Sequence, residues 1–185
     1  MKSVNIQEYT PAHWSSLWRL RFAQLAEHGI LLTKDDIPAV PGLPENDTYE
    51  WDLNHIDEVY CCGGGGFWLA WQGDEPVGSI GAQDLGGVVE LRRMYVKATH
   101  RRQGIGLQLM QALIDRCRTH GIRAVELWTD EGGMGELFYQ QFGFQRIQVP
   151  ELGFKAVEQA THRSANPDEI RMRFVLAPAS TVPPI

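Results

Sequence analysis

The residues of this chain best suited to act on an anion lie in the stretch THRRQGIGLQLM, residues 99–110. Arg101 and Arg102 stand just ahead of Gly104 and Gly106, and an apolar-periodic run begins behind them. Arginine supplies a permanent charge and paired donors that match phosphate oxygens. Where a helix opens, the N–H groups of its first turn have no partner inside the helix and sit at the positive end of its dipole. Glycines at 104 and 106 leave that backbone open to a ligand. Together these features fit a pyrophosphate. The third glycine of a dinucleotide fingerprint and the lysine of a P-loop are both missing, so a dinucleotide or a nucleoside triphosphate fits poorly. On these residues alone, a solvated basic turn feeding an ordinary helix fits as well.

A louder glycine run, CCGGGG at residues 61–66, competes for that role. No helical pattern follows it, so it would aim no set of free N–H groups at an anion. It reads as a flexible link from a helix to a strand. Cys61, Cys62 and Cys117 have neither the spacing of a zinc site nor the even number of a disulfide framework. They read as reduced thiols packed like small hydrophobes. The six histidines are scattered and none is paired at metal-ligand spacing, so no metal is expected.

The elements that would position Arg101 to Gly106 follow from periodicity. SVNIQEY alternates as a half-buried strand does. Thr10 and Pro11 suit the cap and first position of a helix running to about His28, with Trp14, Leu17, Trp18 and Leu25 on its apolar face. Beyond a proline-rich loop, Tyr49, Leu53, Ile56 and Tyr60 fall on one face of a second helix that starts near Thr48. FWLAWQGDEPVGSIGAQ predicts a hairpin turning at Gly73 and Asp74, and VVELRRMYV the next strand. From Gly104 to Thr119, Ile105, Leu109, Leu113 and Cys117 recur every fourth residue as on a helix, with Gly121 just past its end. RAVELWT reads as a strand, MGELFYQQF as a helix ended by Gly143, and FQRIQV and IRMRFVL as strands. The order is β-α-α-β-β-β-α-β-α-β-β, a mixed α/β pattern whose central strand–helix–strand crossover predicts a parallel pair.

The chain has 185 residues, 43% hydrophobic and 22% charged, which predicts one globular domain over 1–185. A formal charge of −6 argues against a nucleic-acid surface. MKSVNIQEYT lacks the apolar run of a signal peptide, and no segment approaches a membrane span. The expected location is therefore the cytoplasm.

Taken together, the motifs resemble those of the GNAT acetyltransferase superfamily. RRQGIG is similar to the family's R/Q-x-x-G-x-G/A loop, with Arg101, Gly104 and Gly106 at its defining positions. VELRRMYV is similar to the central strand that precedes that loop. ELFYQQFGF resembles the family's A-x-x-L-Y-x-K-x-G-F segment, with Tyr139, Gly143 and Phe144 in register. Gly135 stands in place of the alanine, and Gln141 where a lysine is common. The likeness spans residues 67–147, leaving 30–50 and 150–169 as variable segments on the acceptor side.

This resemblance implies a GNAT-like fold, with a mixed, mostly antiparallel sheet flanked by helices. It implies acetyl-CoA as co-substrate, its diphosphate on the amides of Arg102, Gln103, Gly104, Ile105 and Gly106. The pantetheine arm would lie like an added strand along Met94, Tyr95 and Val96. A bulge in that strand would open a V-shaped cleft, and the nominal face Val88, Glu90, Arg92 and Met94 is compatible with one.

Acetyl transfer to an amine must take a proton from the ammonium, stabilise an oxyanion and protonate a thiolate. A backbone N–H within Met94 to Val96 would serve the oxyanion. Tyr139 is the expected acid, since a phenol of pKa about 10 can protonate or hydrogen-bond a thiolate whose acid has pKa about 8.5; its alternative is a packing aromatic. Glu90 is the expected base, acting directly or through water, with a solvent-facing or salt-bridged strand glutamate beside Arg92 as its alternative. Asp130 and Glu131 suit either a cationic acceptor or the cap of the following helix. His55 reads as a surface residue or as part of the acceptor side.

The expected activity is transfer of an acetyl group from acetyl-CoA to a primary amine of a small molecule or peptide, by direct attack in a ternary complex. A homodimer is compatible with it. The competing expectation is a catalytically silent acyl-CoA sensor of the same fold, and behind it a nucleotide-binding protein.

Overall fold

A computed structural model describes residues 3–31, 51–148 and 168–177. Thr10, extended, offers its N–H to His13 Nδ1 at 3.1 Å and starts a short 3-10 turn, Pro11–His13. That turn joins β1 (Val4–Glu8) to α1 (Trp14–Glu27). The expected second helix is broken. Its described part forms α2 (Trp51–Asn54) and α3 (Ile56–Val59), separated by His55 at φ −127° and ψ 43°. The His55 ring stacks on Trp51 at 4.4 Å and its Nδ1 lies 2.9 Å from the Trp51 carbonyl. Leu53, Ile56 and Tyr60 still reach the core, whereas Thr48 and Tyr49 lie outside the described residues.

β2 (Gly66–Gln72), β3 (Glu75–Asp84) and β4 (Val88–Val96) form the expected meander. Then come α4 (Ile105–Thr119), β5 (Ala124–Asp130), α5 (Met134–Phe142), a two-residue β6 (Gln145–Arg146) and β7 (Glu169–Val175). One seven-stranded sheet runs β1-β2-β3-β4-β5-β7-β6. Among the described strands only β4 and β5 pair in parallel, joined by α4, because a parallel neighbour needs a crossover. The sheet is mixed and mostly antiparallel, as expected. Nearly all of the expected acceptor-side segments, 32–50 and 149–167, falls outside the described residues.

Each face of the sheet has its own core. Val89, Leu91, Leu109, Leu113, Val125 and Leu127 pack on the α4–α5 side. Leu17, Trp18, Leu20, Leu53, Tyr60 and Phe67 pack on the α1–α3 side. The run at 61–66 is a connection, but a packed rather than a flexible one. A Cβ on Gly65 would lie 2.4 Å from the Tyr60 carbonyl oxygen and 2.6 Å from that of Ala82. Asp84 holds the neighbouring Gly64 N–H at 2.8 Å. Cys117 is a buried small hydrophobe as expected, whereas Cys61 and Cys62 are exposed. The partial desolvation that Cys61 still has, with Asp57 behind it, pushes its thiol up to about 11, so it is a poor nucleophile at neutral pH.

Candidate active site

The site is made by one fault in β4. Gly81 pairs with Arg92 and Ser79 with Tyr95, so the single residue Ile80 faces both Arg93 and Met94. Arg93 is the inserted residue, at φ 53°. A side chain in that left-handed region is strained, by about 1–3 kcal/mol, and the surroundings hold it there. The Arg93 guanidinium bonds both oxygens of Asp52, its Nε at 2.8 Å, and its carbonyl accepts from Ser79 Oγ at 2.9 Å. The buried Tyr60 hydroxyl also donates to Asp52. Burial alone would raise the Asp52 carboxyl, but Arg93 outweighs it and holds the group far below the usual carboxylate range.

This bulge shifts the alternation of the strand. Met94 does not share a face with Glu90 and Arg92 as strict alternation predicts. It joins Val96 against the α4–α5 core, while Tyr95 turns to the α1–α3 core. The parallel ladder ends at Glu90–Glu126, whereas β5 stays paired with β7 as far as Asp130. Beyond that last rung the two strands diverge. Among the described residues the β5-facing edge of Met94 to Val96 has no strand partner, which leaves a V-shaped cleft with open backbone along one wall.

The loop and α5 meet at this cleft. α4 opens at Ile105 behind Gly104, with no side chain capping its first turn. The two glycines serve different needs. Gly104 adopts φ +78° with open space around it, so its backbone conformation selects glycine. A Cβ at Gly106 would lie 3.2 Å from Met94 Cε and 3.4 Å from the Phe138 ring, so close packing selects it. Gly106, Met94 and Phe138 thus bring the loop, the central strand and α5 together. Tyr139 is 7% exposed, edge-on to Phe138 at 5.4 Å. Its ring edge and Thr129 Oγ1 both approach Gly135, beside the diverged half of β5.

The two arginines also part company. Arg101 points back along the loop: its Nε donates to the Val96 carbonyl at 2.9 Å and its Nη2 pairs with Glu27 at the end of α1. Glu27 also accepts from Tyr95 Oη at 2.6 Å and from the Ala98 N–H at 3.1 Å. Burial opposes ionisation of Glu27, but these donors prevail and lower its pKa. Arg102 is exposed at φ 63° and makes no hydrogen bond or ion pair among the described residues. Gln103 donates to the Thr99 carbonyl at 3.3 Å.

Glu90 is fully buried on the α1–α3 face, with Arg92 Nε 3.8 Å away. Its ladder partner Glu126 receives both Arg171 and Arg173, each through Nε at 2.7 Å. Neither Asp130 nor Glu131 caps α5, whose cap is Gly133; Glu131 pairs with Arg146 at 2.5 Å. By sequence Asp52 suits either a pocket for an amine or a solvated helix start, and it is instead 3% exposed and paired with Arg93. Glu27, Glu126, Arg171 and Arg173 were not singled out from the sequence. One signal was there: VEL occurs at both 89–91 and 125–127, and the two glutamates prove to be neighbours across the ladder. Among the described residues no group of His, Cys, Asp and Glu could hold a metal ion, and no helix is long and apolar enough to cross a membrane.

A family model described as "Acetyltransferase (GNAT) family" matches residues 30–144. The chain belongs to the GNAT acetyltransferase family. A GNAT-family acetyltransferase of Staphylococcus aureus superimposes with a TM-score of 0.70 at 24% identity, over 95% of this chain and 100% of that one. The PaiA N-acetyltransferase of Thermoplasma acidophilum, solved in complex with coenzyme A, gives a TM-score of 0.64 at 16% identity, over 94% and 99% of the two chains. In sequence, the uncharacterized N-acetyltransferase YsnE of Bacillus subtilis is 33% identical over 85 residues, 43% of this chain and 55% of that protein. The chain therefore spans about half the length of that curated relative.

Proposed function

We propose that this GNAT chain is an acetyl-CoA-dependent N-acetyltransferase that acetylates a primary amine of a small molecule or peptide by direct attack in a ternary complex. One observation carries the reading: β4 and β5 part immediately beyond Glu90–Glu126, beside an uncapped helix start and the tyrosine of α5. The residues fit the cofactor. The open first turn of α4 and the uncommitted Arg102 suit a diphosphate, and the open edge of Met94 to Val96 suits an amide-bearing arm. Acetyl-CoA, when bound, supplies an acyl group activated as a thioester.

The chain's own residues have separable tasks. Amides of Arg102, Gln103, Gly104, Ile105 and Gly106 bind the diphosphate, with the Arg102 guanidinium adding charge. Arg101 acts from the other side of the loop, fastening it to α1 through Glu27. The Met94 to Val96 backbone orients the arm and donates to developing negative charge. Tyr139 Oη holds the proton for the departing sulfur, and Glu90 receives the proton of the amine through water.

Release of free thiol from acetyl-CoA over an amine library tests the reading. Turnover with at least one primary amine is expected. Cofactor binding without turnover on any amine would instead identify a silent sensor. Tyr139→Phe is expected to lower kcat on the order of 100-fold while cofactor affinity holds. Full turnover with an unchanged pH profile would remove Tyr139 from the mechanism.

A further inference from the structure

We infer that the acceptor amine belongs to a molecule that also carries a carboxylate, as a free amino acid does, and that Arg171 and Arg92 receive that carboxylate at the apex of the cleft. The inference deepens the N-acetyltransferase reading and rests on it. The register sets Glu90 beside Glu126, Glu126 beside Arg173 and Trp128 beside Arg171, so these side chains share the α1–α3 face. The neighbouring residues Leu127 and Met172 pack into the opposite core, as alternation requires. Glu90–Glu126 is the last rung before the strands part, so this charged group borders the apex.

Among the described residues its charges do not balance. The single carboxylate of Glu126 is shared by two guanidiniums, Arg171 on Oε2 and Arg173 on Oε1. Arg92 faces Glu90 only at 3.8 Å and reaches Gln83 Oε1 at 3.4 Å, contacts too long to saturate it. Glu90 and Glu126 therefore stand against Arg92, Arg171 and Arg173, while Asp52 and Arg93 neutralise each other. Arg171 is 6% exposed with its guanidinium 5.3 Å over the Trp128 ring, yet its buried Nη1 has no hydrogen-bond partner. A buried cationic donor without an acceptor is unfavourable, and a ligand carboxylate would satisfy it with a charge-assisted bond.

A simple alkyl amine or a polyamine brings only positive charge to this group, whereas a zwitterion brings its own anion. Further out on the same face, Asp130 and Glu169 are ladder partners at the open ends of β5 and β7. A second carboxylate on the acceptor would meet them, so a neutral or cationic side chain suits the site best.

Matched pairs test this on the unmodified protein: free neutral amino acids against their α-carboxamides, read by thiol release from acetyl-CoA. The carboxamide has the less basic amine and is intrinsically more available at neutral pH, so a preference for the acid reports recognition. The acids are expected to exceed the amides at least tenfold in kcat/KM, mostly through KM. Arg92→Gln and Arg171→Lys should each erode that ratio, and Arg92→Gln leaves the Arg171–Glu126 pair standing should the other variant fold poorly. Amides used as well as acids by the unmodified protein would overturn the carboxylate site. If neither series is turned over, the transferase reading stands or falls on the rest of the amine library. Calorimetric titration of both series into the CoA-loaded protein then still reads the site: selective binding of the acid supports it, and equal or absent binding overturns it.

Discussion

The two faces of this sheet are built from the same strands and solve their packing differently. On the α4–α5 face, β4 contributes Val89, Leu91, Met94 and Val96 to an aliphatic core. On the α1–α3 face the same strand contributes Glu90, Arg92 and Arg93, paired with acids or lying beside them. The bulge at Arg93 divides the two regimes, because it moves Met94 onto the aliphatic side and spends its own side chain on Asp52. The apolar face depends on shape and tolerates any well-packed set of similar volume. The charged face depends on partners, and a missing partner there leaves a buried charge.

The sharpest way to break this contrast is Asp52→Ala. Asp52 is 3% exposed and serves Arg93 and Tyr60 together. Its removal is expected to cost about 3–5 kcal/mol of unfolding free energy, measured by denaturant titration. It should also release the bulge, narrowing the cleft and lowering acetyl-CoA affinity. Ile114→Val on the other face removes one methyl group from the aliphatic core and should cost only about 0.5–1.5 kcal/mol. Equal losses from the two substitutions would show that the ion pair does not hold the bulge.

This difference also explains what could be read from the sequence. The order of elements, the extent of β4 and of α5 and the parallel crossover all follow from local periodicity, because each depends on neighbours a few residues away. Tyr139 and the loop residues stand out through short motifs for the same reason. The charged face escaped because its pairs are distant in the chain: Asp52 with Arg93 lies 41 residues apart and Glu126 with Arg171 lies 45 apart. The bulge also left no mark, since Arg93 is not one of the residue types that favour a left-handed backbone. Helix two broke at His55, which carries no helix-breaking chemistry of its own. There the stacking on Trp51 is visible only in three dimensions.

Within the loop the same contrast recurs between adjacent arginines. Arg102→Ala removes an uncommitted cation, and cofactor binding should weaken by about 1.5–3 kcal/mol for the charge-assisted bond lost, read as Kd by calorimetry. Arg101→Ala removes a cation already paired with Glu27, so its effect on Kd should be smaller and should come with lower thermal stability. A larger affinity loss for Arg101→Ala than for Arg102→Ala would reverse the division of labour.

The smallest effect tests whether the faces communicate. Glu27 ends α1, on the charged side, yet it gathers Tyr95, the Ala98 N–H and Arg101 at the entry to the loop 101–106. Its carboxyl titrates below its ordinary value in the folded protein because those donors favour the ionised form. A lowered folded pKa gives stability that is present above the ordinary glutamate range and is lost as pH falls through the folded value. The Arg101 side chain is 46% exposed, so solvent screens the pair and its contribution stays under about 1 kcal/mol. Glu27→Gln should therefore lower Tm modestly at neutral pH, and the gap to the unmodified protein should close as the pH is taken below that range. A gap that persists unchanged in acid would assign the effect to packing of α1, and the loop would then be held without help from the charge at its far end.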